Sequence, residues 1–347
     1  MPDRAGAILC VSSYFKGARF GYGWEWNDLQ WGYGAEVSAL TVDDNVVVLE
    51  VTPDAKAGEP CHIASTPTSP YIRIVNRTHT SPKGGVSDLG IYRAEGTNVI
   101  ELWGHMPVGA EPYESDVAVH DPAGLFASLL RTALERRKIE ISGATRSLDA
   151  RAREERPFNA ERAVELAWLE SEPLADVIRE TNKESQNLYA ELLLRSVGRA
   201  VGPADAESAE AAGVSVVLDF LKAAGIDTSA LAITDGSGLS RDNYVTPATT
   251  VGLLAYVRKQ SYGDTFVASL PEAGTDGTLE KRFVDTPAAG RVHAKTGTLG
   301  DASALAGYLT TRSGRTVAFA IMVNNAPGAT KPLRQAIDAV VLELFAD

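Results

Sequence analysis

The sequence predicts an α+β protein, and three observations carry that prediction. Residues 40–104 hold four short β-rich runs separated by Pro, Gly, Asn and Asp. From about residue 164 onward, apolar residues recur at helical spacing. Near the C-terminus three β runs follow one another and give way to a last helix, the pattern of an antiparallel meander covered by helices.

Taken in order, "AGAILCVSSYF" near the start reads as a buried strand running into a turn. The four runs are "NVVVLEVT" (45–52), "YIRIVNR" (71–77), "LGIYRAE" (89–95) and "NVIELWG" (98–104), with "GTN" at 96–98 as a hairpin signal between the last two. At Asp121 the character changes. The aspartate can cap a helix with Pro122 in its first position, and Leu125, Phe126, Leu129, Leu130, Ala133 and Leu134 recur on one face. The charged stretch "RAREERPFNAERA" (151–163) is expected to be a solvated linker or surface rim. Two helical runs, "PLADVIRET" and "NLYAELLLRSVGRAV", flank a turn carrying Ser185 and Asn187. A further helix covers 211–226, and a polar, glycine-punctuated loop, "ITDGSGLSRDNYVTP" (233–247), precedes the helical "ATTVGLLAYVRKQ". The meander is "GRVHAKTGT" (290–298), "SALAGYLTT" (303–311) and "TVAFAIMVNN" (316–325), and "KPLRQAIDAVVLELF" closes the chain. Trp24, Trp26 and Trp31 are expected to anchor a core or a domain interface, with stacking on sugars as the other use of such rings.

Bulk properties narrow the function. At 347 residues the chain can build two or three domains, with 44% hydrophobic and 22% charged residues. A net charge of −12 argues against a nucleic-acid partner, whose phosphates demand clustered Lys and Arg. The five histidines are scattered, with no HExxH and no Cys/His cluster, so no metal is expected. Cys10 and Cys61 are too few for a disulfide scaffold and are expected as free thiols. No run reaches the 18 or so apolar residues of a membrane helix, and the first residues lack a full signal-peptide pattern.

The chemistry resides in two short motifs. Ser185-Gln186-Asn187 sits between two helices, and Lys295-Thr296-Gly297 lies on a strand opening the meander. Serine acyl transfer needs a nucleophile, a group that takes its proton and a pocket that stabilises charge. A Ser-x-Asn turn supplies a hydroxyl that relays protons and an amide that holds a peptide group. Lys-Thr-Gly on an edge strand supplies a positive charge and a hydroxyl for a carboxylate, while the glycine leaves room for an extended peptide alongside. In "DGSGLS", Asp235, Ser237 and Ser240 read as a structural turn, and His293, on the face of Lys295, as a packing or surface residue.

The linked stretches "NKESQNLYAELLLRSVG", "DGSGLSRDNYVTP", "LPEAGTDGTLEKRF" and "GRVHAKTGTLGDASALAGYLTT" closely resemble the D-alanyl-D-alanine carboxypeptidase/endopeptidase family, the class C low-molecular-mass penicillin-binding proteins. The upstream "SSYFKGARFGYGWEWNDLQWGYG" resembles that family's inserted region. The resemblance implies an incomplete penicillin-binding-protein/β-lactamase-like transpeptidase domain at 161–347. It further implies an inserted α/β domain at 1–40 and 118–160, and a small β domain at 41–117. Ser185 and Asn187 match the family's second motif, with Gln186 where Asp is common; Lys295, Thr296 and Gly297 match the third, followed by Thr298. By this resemblance Ser185, Asn187 and Lys295 are catalytic, Thr296, Gly297 and Thr298 bind substrate, and the Thr298 N–H is an oxyanion donor. No cofactor is implied. The implied partners are peptidoglycan stem peptides ending in D-Ala-D-Ala, with β-lactams binding intact relatives, in an extracytoplasmic or cell-wall setting.

The family's first motif, Ser-x-x-Lys, places serine and lysine on one helix face. Its single occurrence here is "SYFK", Ser13 to Lys16, and Gly17, Gly21 and Gly23 follow it at spacings that break a helix. Ser13 is therefore not expected to be the nucleophile. The expectation is a family member lacking its N-terminal nucleophile segment, inactive as this chain alone and with an exposed sheet edge. Two alternatives stand beside it: a non-catalytic module that binds peptidoglycan peptides, and an esterase or β-lactamase acting through Ser13.

Overall fold

The computed structural model describes residues 6–155, 164–326, 328 and 330–346. The chain divides into two compact units, Met1–Arg162 and Ala163–Asp347.

In the first unit, β1 (Ile8–Val11) pairs in parallel with β8 (Thr145–Leu148). Helix α1 (Pro122–Arg136) covers them, placing Ala127 with Ile8 and Cys10. Asp121 caps α1 by accepting from the Gly124 N–H at 3.3 Å, and Pro122 occupies the first turn, where its missing N–H costs nothing. Two three-stranded sheets complete the unit. One has β2 (Val46–Thr52) between β3 (His62–Thr66) and β7 (Tyr113–Ala118); the other has β6 (Val99–Pro107) between β4 (Arg73–Ser81) and β5 (Asp88–Arg93). They share one core of Val47, Leu49, Val51, Ile100, Leu102, Met106 and Val117, joined by Leu125 of α1.

All four expected strands form. Neither β3 nor β7 stands out as a run, because β3 is five residues of mixed polarity, alternately exposed and half-buried, and β7 carries Glu114 and Asp116. Both become strands because β2 offers them its two edges. The charged stretch from residue 151 starts in a short helix with no buried residue, α2 (Ala150–Glu155), which fits the expected surface rim and not a linker; residues 156–163 lie outside the described ones. Of the three tryptophans, Trp31 packs on the core and Trp24 faces Phe20, but Trp26 is 81% exposed and anchors nothing there. Cys10 and Cys61 are free and buried in different clusters. "SYFK" forms a turn, not a helix, and Ser13 Oγ accepts from Arg153 at 2.7 Å.

The second unit is a helical layer and a sheet. Helices α3 (Leu174–Lys183) and α4 (Asn187–Val201) bracket a three-residue turn, followed by α5 (Ala209–Ala223), α6 (Pro247–Val257) and α7 (Gly263–Ser269). Strands β9 (Val292–Leu299), β10 (Ala302–Thr310) and β11 (Thr316–Val323) form an antiparallel meander with β10 central, and α8 (Thr330–Ala346) follows. The period of two divides this sheet's side chains. Val292, Ala294, Leu305, Leu309 and Phe319 face α8 and meet Ile337, Val341 and Phe345. Ala306, Tyr308 and Ala318 point the other way, toward Leu254 of α6 and Leu270. The outer edge of β11 has no strand partner among the described residues.

α4 and α5 approach to backbone contact through paired glycines. A Cβ on Gly213 would lie 2.2 Å from the Leu194 carbonyl oxygen, and one on Gly198 would lie 2.0 Å from that of Ala209. Gly213→Ala should therefore separate the helices and cost about 2 kcal/mol, the range for overpacking a fitted interface. A denaturant titration checks this, and an unchanged midpoint would count against so close a crossing.

Candidate active site

The alternation that builds the sheet also aims its lysine. Lys295 lies opposite Ala306 on the helix-covered face of β9, whereas Thr296 and Thr298 share the α8 face with Ala294. The lysine amine reaches the turn between α3 and α4, where it donates to Ser185 Oγ at 2.6 Å and to the Thr296 carbonyl at 3.0 Å. Among the described residues it pairs with no carboxylate. Burial without a counter-charge disfavours the ammonium, and the Lys295 pKa falls from 10.5 to about 8.

Ser185 holds a left-handed backbone, φ 63°, two residues ahead of α4. Such a conformation is costly for a non-glycine residue and persists only where the surroundings enforce it. Here the Gln186 N–H bonds back to the Thr181 carbonyl at 3.0 Å and closes the end of α3, while Asn187 begins α4. Lys183, in the last turn of α3, pairs with Asp276 at 2.5 Å. Asp276 also accepts from the Glu272 N–H at 2.9 Å, and these contacts hold its pKa below the usual value against a desolvation that raises it. The turn is thereby tied to the segment 272–278, which rejoins β9 through a 2.9 Å hydrogen bond between the Thr296 and Thr278 hydroxyls.

The outer edge of β9 is open where it matters. The Ala294 N–H donates outward to the Pro271 carbonyl and the Val292 carbonyl accepts from Ala273, so even-numbered residues direct their peptide groups away from β10. The Thr296 and Thr298 N–H groups therefore point off the edge, beside the exposed Gly297. The Thr298 hydroxyl accepts from Arg334 of α8 at 3.1 Å. His293 shares the face of Lys295, half-buried, and bridges to Glu272.

Behind the turn stands a polar network that the sequence motifs did not reveal. The wholly buried Glu191 of α4 accepts the Gly236 and Ser237 N–H groups at 2.8 and 2.9 Å. Asp235, 3% exposed, accepts from Gly238 N, Ser240 N, Ser237 Oγ and Asn243 Nδ2. Asp235 and Ser237 of "DGSGLS" thus spend their polar atoms on the loop itself. The buried Arg195 faces both Glu191 and Glu210, at 3.9 and 3.5 Å. Burial raises both carboxyls, and Glu210 reaches about 7. A signal for Glu191 was present: Leu188, Glu191, Leu194, Arg195 and Gly198 recur at helical spacing, so the glutamate interrupts the buried face. Among the described residues no group of His, Cys, Asp or Glu is arranged to hold a metal ion.

A half-buried lysine on an edge strand, bonded to a serine between two helices in an α+β unit, fits the penicillin-binding, β-lactamase-like fold. The chain belongs to the D-Ala-D-Ala carboxypeptidase 3 (S13) family, whose pattern it matches over residues 4–344. It is 35% identical to the D-alanyl-D-alanine carboxypeptidase of Actinomadura sp. (strain R39), over 98% of this chain and 63% of the relative. It is 29% identical to the penicillin-sensitive carboxypeptidase A of Dictyostelium discoideum, over 92% of this chain and 62% of the relative. The crystal structure of penicillin binding protein 4 from Haemophilus influenzae matches with a TM-score of 0.78 and 26% identity, over 98% of this chain and 75% of the other. The chain thus spans a little under two thirds of the length of these curated relatives.

Proposed function

We propose that this chain carries the peptide-holding and proton-relaying part of a serine D-Ala-D-Ala carboxypeptidase/endopeptidase site. The observation that carries the reading is the 2.6 Å contact of Lys295 with Ser185 beside the open edge of β9. A stem peptide ending in D-Ala-D-Ala would add to that edge as a strand, its backbone meeting the Thr296 and Thr298 peptide groups next to Gly297. Its terminal carboxylate would be drawn by Lys295 and by Arg334, which also holds the Thr298 hydroxyl. Asn187 would hold the penultimate peptide group, Ser185 would pass protons, and the Thr298 N–H would steady an oxyanion. The substrate would place the protein outside the cytoplasm. Among the described residues no helix is long and apolar enough to cross a membrane.

The family resemblance implies a nucleophile in a Ser-x-x-Lys pair on one helix face, and "SYFK" is a turn whose serine is held by Arg153. The chain by itself is therefore expected to bind D-Ala-D-Ala peptides and release no D-alanine. Calorimetry with a diacetyl-Lys-D-Ala-D-Ala peptide, with the C-terminal amide as comparison, tests this. Saturable binding of the acid that weakens at least tenfold for the amide supports the reading, and equal or absent binding overturns it. A penicilloyl adduct mapped to Ser13 after incubation with benzylpenicillin would instead establish the reading in which Ser13 is the nucleophile.

A further inference from the structure

We propose that the outer face of the β4–β6–β5 sheet is a carbohydrate-binding platform, built on Trp103 and Tyr92, that takes an uncharged glycan of N-acetylated amino sugars. The inner face of this sheet is already occupied: Ile91, Ile100, Leu102 and Met106 lie in the core of the unit, with Ile74 and Leu89 packed against it. The period of two then turns Glu101, Trp103 and His105 of β6 outward, together with Gly90 and Tyr92 of β5. Arg77, Trp103 and Gly90 lie side by side across the three strands, as do His79, His105 and Asp88 one step further along. The indole fills the place of a missing side chain. A Cβ on Gly90 would lie 2.1 Å from Trp103 Cε2 and 2.3 Å from Cζ2, so only glycine lets the ring lie down on the sheet. Held there, Trp103 is still 47% exposed, and Tyr92, on the diagonal to it, is 49% exposed.

The flanking side chains select the occupant. Arg77 pairs with Glu101 at 3.5 Å, and the rings of His79 and His105 lie 5.6 Å apart. Flat donors and acceptors set around aromatic rings suit a pyranose, whose C–H face stacks on a ring while its hydroxyl and acetamido groups hydrogen-bond at the rim. A protein partner fits less well. It would bury the charges of Arg77, Glu101 and Asp88, whereas the centre of a protein interface is depleted in charged groups. The outward positions of the three strands also carry no Leu, Ile, Met or Phe. Arg73 and Arg77 balance Asp88 and Glu101, so with its histidines uncharged the face is neutral, in a chain of net charge −12. That balance gives a polyanion or a polycation no purchase and suits an uncharged polymer. From Val99 to His105 the platform runs about 20 Å, the reach of a short oligosaccharide. That the sugars are those of the glycan bearing the stem peptides rests on the proposed function; the sugar chemistry of the face does not.

Two probes test this on the whole chain: chitotetraose, a tetramer of N-acetylglucosamine, titrated by calorimetry, and cell-wall glycan stripped of its stem peptides, used for cosedimentation. The expected result is saturable binding of both. Trp103→Ala and Tyr92→Ala should each weaken it at least tenfold, and Trp103→Phe by less. Trp26→Ala should leave it unchanged, although that ring is the more exposed. Tyr92→Ala carries the test if the indole proves necessary for folding. Absent binding, or binding that survives both alanine variants, overturns the inference. So does a concentration-dependent dimer that Trp103→Ala dissolves in a chain without affinity for the sugars, since the face would then join two copies. A chain that binds the D-Ala-D-Ala peptide but neither glycan refutes this inference and leaves the proposed function standing. Sugar binding through Trp103 without peptide binding upholds the platform and removes the proposed function.

Discussion

Replacing Asp235 by alanine is expected to lower the unfolding free energy of the C-terminal unit by about 4 kcal/mol, one of the largest single effects available in the chain. The carboxylate is buried and accepts hydrogen bonds from two backbone N–H groups and two side chains of its own loop. Hydrogen bonds to a charged acceptor contribute about 1.5–3 kcal/mol each, and they are not additive when they share one group. Removing the acceptor strands the Gly238 and Ser240 donors and loosens the loop that Glu191 holds against α4. Asp235→Asn should fall between, because one oxygen remains to accept. The denaturant midpoints of the three proteins check the order. A loss under about 1 kcal/mol for alanine would mean that water replaces the carboxylate without difficulty.

Lys295→Met should act in opposite directions on stability and function. In the folded chain the amine titrates near 8 instead of 10.5, so between those values the unfolded chain binds more protons. Stability therefore climbs as pH rises from 8 toward 10.5, and below 8 the penalty of the buried ammonium is felt in full. Methionine of similar length removes that penalty but leaves Ser185 Oγ and the Thr296 carbonyl without their donor. The net expectation is a gain of about 1–2 kcal/mol at pH 7, shrinking as the pH approaches 10. The variant should lose peptide binding. Thermal melts of the two proteins from pH 6 to 10 decide the matter, and parallel curves would show that Lys295 is not buried as a charge.

What the sequence disclosed, and what it withheld, follows the range of the forces involved. Strands β2, β4, β5 and β6 were legible because Val, Ile and Leu runs ended at turn residues, and α1 because Asp121 and Pro122 mark its start. Strands β3 and β7 were not, since their pairing with β2 is a tertiary event that their own polar residues do not announce. The short α7 leaves no signal for a different reason: seven residues give too few turns for a period to show. Trp26 departs from the core expectation because aromatic rings usually bury and this one does not. At the site, Ser185 and Lys295 were found through their motifs, whereas Arg334 looked like any exposed arginine until α8 brought it to Thr298. Glu191 was hidden differently. Charged residues are ordinary in helices, and only its position on the face of Leu188 and Leu194 distinguished it.

The two halves of the site, Ser185 and Lys295, are separated by 110 residues of chain. A contact of that span closes a large loop, and loop closure slows folding. The α3–α4 turn will therefore exist during synthesis well before the strand that completes it, and no ligand can recognise the growing chain at this point. Once β9 has docked, the situation inverts. Any molecule bridging the turn and the strand must be released before either can part, so occupancy raises the free energy of opening the whole C-terminal unit. Ligand binding here is thus also a clasp on the fold, and resistance of that unit to proteolysis reports occupancy even when no bond is cleaved.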